Sequence, residues 1–528
     1  MVGRWTMVGI VPLYNFVSNF ISWCTKCFIW KWLQTSLAQG VKESFMSKHE
    51  NKYARPKDSL HRNNHAGSSL NWVRPLSYVE TFMTQAQKYG CMKTVYALWL
   101  DTKKPIDITL VKQAAHITNR KMPHLQLSVG YRNRRPWWKK RNSETLDVEV
   151  VTSQDVIWIM EANLKHQYDL EEGPLWFVRL VKNNQNEENM YNSHKCYKYA
   201  LVFGFLHNIA DGTTNMAFCN QFISILNDLI EGHPPNMAAE GVFAEPLEDR
   251  LANEKSNRSY LCKLFFEHAK KAMCFGAGVC NFTKNYPLPV ENEACTRILH
   301  HEVDEITTKR LLKKCKMEKV TINSAFTAAA NLGLYKLISE KDVGISDTVI
   351  NTLQTVNMRR YWSKEAQPNS FGCRISSLNL NFSVAHHDAY AFWEYARDVH
   401  RIIKHGLDEK PLALLGLPLA NFFKYVIGEN FWVSKFSLPS SNDCHFCVTN
   451  MGNLDNILIG TLSQIKVSQI MRSVSGHFMP TLCQHTLQTF HGRLCYSIDY
   501  YTQKMKESTA EKYSKYIVDI LKESIPKV

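Results

Sequence analysis

Residues 199–206, YALVFGFL, form an unbroken apolar run, the pattern of a strand buried on both faces rather than one. His207 ends the run. After a short polar turn, Phe218, Phe222, Ile225, Leu226 and Leu229 recur at helical spacing until Gly232 and Pro234 stop the helix. The pattern predicts strand, tight turn and helix, with His207, Asp211 and Gly212 in the turn. A loop held between two rigid elements is a common seat for catalytic groups.

The same reading orders the rest of the chain. Residues 47–71 are polar and nearly free of large aliphatics, as a linker should be. The folded body is expected to begin at Trp72, where Ser77 and Glu80 form a capping box for a helix. Strands are predicted at 95–100, 125–131, 146–151 and within 173–182, and a helix at 108–121. Between the second and third of these strands lies RNRRPWWKKRN, expected to be an exposed basic hairpin turn, with a phosphate-binding surface as the alternative. The polar stretch 183–198 reads as an insert, and 261–275 as an amphipathic segment that packs on the body or touches a membrane. A second half starts past Pro287, with strands at 297–303, 349–357, 376–384 and 445–449 and within 487–497. Helices are predicted there at 307–316, 321–338, 392–406 and 510–525, and 412–427 is strongly apolar. Two halves of similar α/β character, 72–286 and 287–528, suggest a two-lobed enzyme with its site between the lobes.

Ahead of the body, residues 8–33 are apolar and aromatic, with Trp23, Trp30 and Trp32 beside Lys26 and Lys31. Tryptophan mixed with lysine suits the membrane interface, so residues 1–46 are read as a membrane-associating segment. The alternative is an extra helix packed on the body. No small-residue cleavage site marks a signal peptide. Cys24 and Cys27 are spaced as C-x-x-C, but no second pair completes a zinc site, and no metal site is expected.

The net charge of +15 points to an anionic partner, such as a phosphorylated co-substrate or an acidic membrane. Nucleic acid is not expected, because the basic residues are scattered and carry no zinc-finger or RNA-binding signature. Fifteen cysteines, dispersed through apolar segments, suit reduced thiols in the cytosol. A second His-x-x-x-Asp, His300 to Asp304, precedes an apolar-periodic helix, so Asp304 reads as its N-cap. Glycine follows only the first pair.

The ordered series LSYVE, MPHLQ, EEGPLW, HNIADG, VTINSAFTAAA, VNMRRYW and VTNMG resembles the CoA-dependent acyltransferase superfamily across roughly residues 72–525. That group includes chloramphenicol acetyltransferase, alcohol acetyltransferases and peptide-synthetase condensation domains; this chain looks most like the alcohol acetyltransferases. Condensation domains usually carry two adjacent histidines, whereas here Leu206 precedes His207. The plant enzymes carry Asp-Phe-Gly-Trp-Gly, where this chain has Ser370-Phe371-Gly372-Cys373-Arg374.

The resemblance implies two chloramphenicol-acetyltransferase-like α/β lobes of mixed sheets and flanking helices, with the site in a tunnel between them. It implies an acyl group moving from acyl-CoA, a co-substrate and not a resident cofactor, to a hydroxyl or amine acceptor. A neutral alcohol needs a base to attack a thioester, and an imidazole can supply it. His207 is then the general base, in one ternary complex without an acyl-enzyme. Asp211 is expected to meet Arg359 across the lobes, with Arg360 as the rival partner. Gly212 would let the backbone pass close to the ligand, and Asn450 is a candidate substrate contact. The expected enzyme is a monomer held at a membrane, its acceptor an alcohol or lipid and its site on the cytoplasmic side. A catalytically retired binding protein and a stand-alone amide-forming condensation enzyme are the other readings.

Overall fold

The structure is a computed structural model. It describes residues 71–526 apart from 133–134, 183–188, 192–193, 247–280, 290–293, 343, 362–369, 387–390, 409–443, 477–478 and 480. The N-terminal apolar segment, nearly all of the expected linker and the stretches 261–275 and 412–427 lie outside the described residues.

The first half runs β1 (Trp72–Pro75), α1 (Tyr78–Gln87), β2 (Lys93–Thr102), α2 (Ile108–Lys121), β3 (Leu127–Arg132), β4 (Arg135–Lys140) and β5 (Asp147–Thr152). It continues through α3 (Val156–Asn163), β6 (Trp176–Lys182), β7 (Asn189–Tyr191), β8 (His194–Leu206), α4 (Gly212–Glu231) and β9 (Val242–Phe243). The second half holds β10 (Thr296–Val303), α5 (Glu305–Met317), α6 (Ile322–Lys341), β11 (Asp347–Asn357), β12 (Ser370–Phe371), β13 (Ile375–Ala385) and α7 (Phe392–Asp408). It ends with β14 (Phe446–Asn453), β15 (Ile465–Val474), β16 (Cys483–Phe490), β17 (Arg493–Tyr501) and α8 (Glu507–Glu523).

The apolar run ending at His207 is the last part of β8, which pairs antiparallel with β2 on one side and β6 on the other. The sheet order is β15-β2-β8-β6-β5, so β8 lies at its centre, and this is why its side chains do not alternate in polarity. Helix α4 covers one face. Its Phe218 ring sits edge-on to Phe203, Phe205 and Trp176 at centroid distances of 5.2, 4.9 and 5.4 Å. Each such buried side chain contributes about 1.5–3 kcal/mol. Gly232, at φ 81, ends α4 in the left-handed conformation, at the position where the sequence places the helix stop.

On β8, Gly204 pairs with Phe177 of β6, and a Cβ at this position would fall onto the Phe177 ring. That ring is held by His166, at 4.8 Å between centroids, and by the Arg179 guanidinium at 4.5 Å, so it has little room to move. Gly204→Ala is therefore expected to overpack the sheet and lower stability by about 1–3 kcal/mol. Denaturant unfolding would measure this, and an unchanged midpoint would contradict the close approach.

Three expectations are corrected. The basic stretch RPWWKK is strand β4, not a turn; with β1 and β3 it forms a separate sheet. Trp138 is fully buried there, 5.7 Å from Phe243, while Arg135 and Lys140 stay exposed. The strand over 147–152 pairs with β6 rather than flanking that hairpin. Within the supposed insert, the described residues 189–191 and 194–198 belong to β7 and β8, which pair antiparallel with Asn189 facing Cys196.

A second six-stranded sheet, β10-β17-β16-β14-β11-β13, organises the other half. Small residues on α6 (Ala325, Ala328, Ala329 and Ala330) are buried, and Gly333 comes up against Tyr513 and Ile517 of α8. Asp304 caps α5, its carboxylate accepting the Thr307 N–H at 2.9 Å, as its position predicted. Two strand pairings cross the expected cut at residue 287: β15 pairs with β2 in the first sheet, Arg472 opposite Tyr96, and β12 pairs with β9, Phe371 opposite Phe243.

Candidate active site

The turn between β8 and α4 is built from the chain's own hydrogen bonds. The His207 N–H donates to the Met92 carbonyl at 3.1 Å, and Asp211 caps α4 by accepting the Thr214 N–H at 2.9 Å. His207 is only 4% exposed. Its Nδ1 lies 2.9 Å from the Ala210 carbonyl oxygen, which can only accept, so Nδ1 carries the proton and Nε2 keeps a lone pair. Burial, reinforced by the charge of Arg472, holds the imidazole pKa down to about 4, so the ring is neutral at pH 7. The side chain is thus a neutral imidazole with one nitrogen anchored and the other without a hydrogen-bond partner among the described residues.

Asp211 does not share that role, because both its oxygens are occupied. Oδ1 takes the Thr214 N–H; Oδ2 takes Arg359 Nη1 at 2.6 Å and the Arg374 N–H at 2.7 Å. Burial would raise its pKa, but Arg359 and the backbone donors outweigh burial and hold it below the usual carboxylate range. Arg359 follows β11 in a short 3-10 turn and also donates to Thr214 Oγ1 at 3.0 Å. The Thr214 hydroxyl in turn donates to the Gly372 carbonyl at 3.0 Å. The end of β11, the start of α4 and the 370–372 segment are thereby tied at one point. Arg360 lies over its neighbour Tyr361, 5.8 Å from the ring centre, and takes no part in this knot.

Gly212 opens α4. A Cβ there would come within 2.7 Å of the Met451 thioether and 3.9 Å of the Tyr96 hydroxyl. The VTNMG segment therefore reaches the motif through Met451. Asn450 is exposed, and its Oδ1 accepts the Gly452 N–H at 2.8 Å across a bulge in the β14–β16 pairing. This local bond holds the Asn450 side-chain oxygen beside Gly452.

Two residues that the sequence reading passed over sit beside the motif. Tyr96 on β2 is fully buried, and its hydroxyl accepts from Arg472 Nε at 3.1 Å and Asn215 Nδ2 at 3.3 Å. Arg472 on β15 is 4% exposed and also donates to Thr486 Oγ1 at 3.3 Å. The available signal was an arginine inside the otherwise uncharged run IMRSV. Among the described residues, no group of three or more His, Cys, Asp or Glu is placed to hold a metal ion.

Residues 152–455, more than half of the chain, match the alcohol acetyltransferase family. The fold is similar to that of TRI3 trichothecene 15-O-acetyltransferase from Fusarium sporotrichioides, with TM-score 0.67 and 14% identity over 87% of this chain and 96% of that one. It is also similar to polyketide synthase associated protein 5 from Mycobacterium tuberculosis, at TM-score 0.55 and 14% identity over 85% of this chain and 98% of that one. The first condensation domain of the CDA synthetase gives TM-score 0.60 and 13% identity, covering 87% of this chain and 98% of its own. At these identities the likeness is one of fold. No curated protein matches the chain at a significant level.

Proposed function

The chain belongs to the alcohol acetyltransferase family, enzymes that pass an acyl group from a donor to an alcohol, and from that premise we propose that its donor is acyl-CoA and its base His207. The observation that carries this reading is the state of the imidazole: neutral, anchored through Nδ1 and unspent at Nε2. An acceptor hydroxyl at Nε2 gives up its proton as its oxygen attacks the thioester carbon. The tetrahedral intermediate collapses, the C–S bond breaks, and the thiolate takes the proton from His207. The products are an ester and free CoA, formed in one ternary complex with no acyl-enzyme. The Asp211–Arg359 pair keeps the turn, and hence the ring, in place.

The net charge of +15 favours the phosphates of CoA. The aromatic and lysine-bearing residues 1–46 support attachment to a membrane, with the active site on the cytoplasmic side, a lipid or other alcohol as acceptor, and the enzyme a monomer. Among the described residues, no helix is long and apolar enough to cross a membrane. Removing residues 1–46 is expected to shift the protein from the membrane pellet to the soluble fraction while activity on short, soluble alcohols persists. Unfolding of the truncated chain would make the segment part of the core.

Incubation of the purified protein with a panel of acyl-CoAs and of alcohols, amines and diacylglycerol, read by mass spectrometry, tests the reaction. Esters with stoichiometric CoA release are expected. Amide products alone would favour a condensation enzyme, and no product from any pair would favour a binding protein of retired chemistry.

A further inference from the structure

Attack on a thioester puts negative charge on the former carbonyl oxygen, and a buried site must meet that charge with a donor. We propose that the Tyr96 hydroxyl is that donor, a catalytic residue, and that Arg472 is the positioning residue that polarises it. The inference rests on the acyl-transfer reading above.

The hydrogen bonds support it first. Tyr96 Oη receives N–H bonds from Arg472 at 3.1 Å and Asn215 at 3.3 Å, which occupy its lone pairs and leave its own proton without an acceptor among the described residues. Burial raises the Tyr96 pKa, so that proton is retained. The Asn215 Oδ1 is buried without a partner. Turning the amide over would satisfy Tyr96 and leave the Asn215 NH2 unspent, so the pair presents one free buried donor in either orientation. The hydroxyl lies 3.9 Å from where a Cβ would be on Gly212, the residue that follows Asp211 in the motif.

Charge supports it second. Arg472 is buried, yet no carboxylate lies within ion-pair distance of it among the described residues. It lines a small cavity with His300, Thr486, Gln488, Tyr496 and Ser497, a lining that contains no carboxylate. The titratable groups that face it are Tyr96 on β2, His207 at the end of β8, His300 on β10, Cys447 on β14, and Cys495, Tyr496 and Asp499 on β17. Asp499 spends its oxygens on Ser473 Oγ at 2.8 Å and the Val474 N–H at 3.0 Å, and burial pushes its pKa up to about 7. A buried cation with no carboxylate in ion-pair contact is costly unless an anion arrives. Here its field opposes protonation of His207 in the resting enzyme. When the imidazolium forms, the oxyanion forms with it, and the repulsion between the ring and Arg472 is offset at that moment. The arrangement therefore favours the transition state over the ground state.

The test uses the full chain and one acyl-CoA–alcohol pair that the wild type converts. Tyr96→Phe is expected to lower kcat about 10²–10³-fold, the usual effect of losing one oxyanion donor, with the acyl-CoA KM and the acid limb of the pH profile unchanged. Arg472→Gln is expected to lower kcat and to move the acid limb of kcat/KM to higher pH, because the cation that disfavours the imidazolium is gone. A purely structural arginine would lower the melting temperature without moving that limb. Should Tyr96→Phe fail to fold, Arg472→Lys replaces it: the limb should stay while kcat falls, since lysine keeps the charge but not the planar fork. Undiminished kcat in a folded Tyr96→Phe, or an unmoved limb in Arg472→Gln, overturns the proposal while leaving the acyl-transfer reading intact. A wild type that makes no ester overturns both.

Discussion

His207→Ala is expected to lower turnover about 10²–10⁴-fold, the usual contribution of a positioned general base, with the fold retained. The expectation rests on the unspent Nε2 of a neutral ring at the end of β8. His300→Ala is the control; its Asp304 is committed to capping α5, so that pair should not carry the chemistry. Full turnover in His207→Ala with loss in His300→Ala would overturn the choice of base. The pH profile adds a second check. The base works only when neutral, so with a pKa of about 4, kcat/KM should hold between pH 7 and 5 and fall as pH drops through about 4. A limb near 6.5 would contradict the burial argument.

Stability runs on the same groups. Between about 4 and the unfolded value of roughly 6.5, the unfolded chain binds a proton at this position that the folded chain excludes, so acid in that window favours unfolding. His124 and His485, held near 3, and His300 and His445, held near 4, act in the same direction because burial depresses each of them. Asp499, raised to about 7, opposes them, since there it is the folded chain that binds the extra proton. The histidines outnumber it, so the net expectation is a melting temperature that falls as pH drops below about 6.5. Rates at low pH should accordingly be taken as initial rates on freshly diluted enzyme.

Breaking the Asp211–Arg359 pair is expected to cost about 3–5 kcal/mol, a large part of a domain's stability, together with activity. The pair is 2.6 Å apart, with the carboxylate side chain 1% and the guanidinium 20% exposed. Arg359→Ala leaves a buried carboxylate with only backbone N–H and Arg374 nearby, so its pKa should rise and the penalty should shrink as pH is lowered. Asp211→Ala leaves the Arg359 guanidinium with Thr214 and the Gly372 carbonyl, and strips α4 of its N-cap. The double mutant should be less destabilised than the sum of the two, as thermal or denaturant unfolding of the full cycle will read. Arg360→Ala should show no coupling to Asp211, because its side chain lies over Tyr361. Strictly additive losses for Asp211 and Arg359 would remove the pair as a source of stability.

The sequence by itself determined the strand–turn–helix that holds His207, because both signals are local. A strand paired on both edges and covered on both faces needs no polar position, and a helix stripe repeats within one turn. The caps at Ser77, Asp304 and Gly232 were legible for the same reason: a cap is a bond between residues three or four apart. Strand β4 was misread because its charged ends, Arg135 and Lys140, outweigh the single inward Trp138 in any local count. Family resemblance pointed to Arg359 as the partner of Asp211 with Arg360 as the rival, and the 3-10 turn after β11 brings Arg359 to the carboxylate. The bulge at Asn450, where its Oδ1 accepts the Gly452 N–H, is invisible in composition. Tyr96 and Arg472 lie 376 positions apart and meet because β15 crosses back to pair with β2. Such a contact is set by sheet register between distant segments, and a one-residue slip would turn either side chain to the opposite face. Local patterning therefore reaches the base and its turn, whereas the charge around that base is a property of the tertiary structure alone.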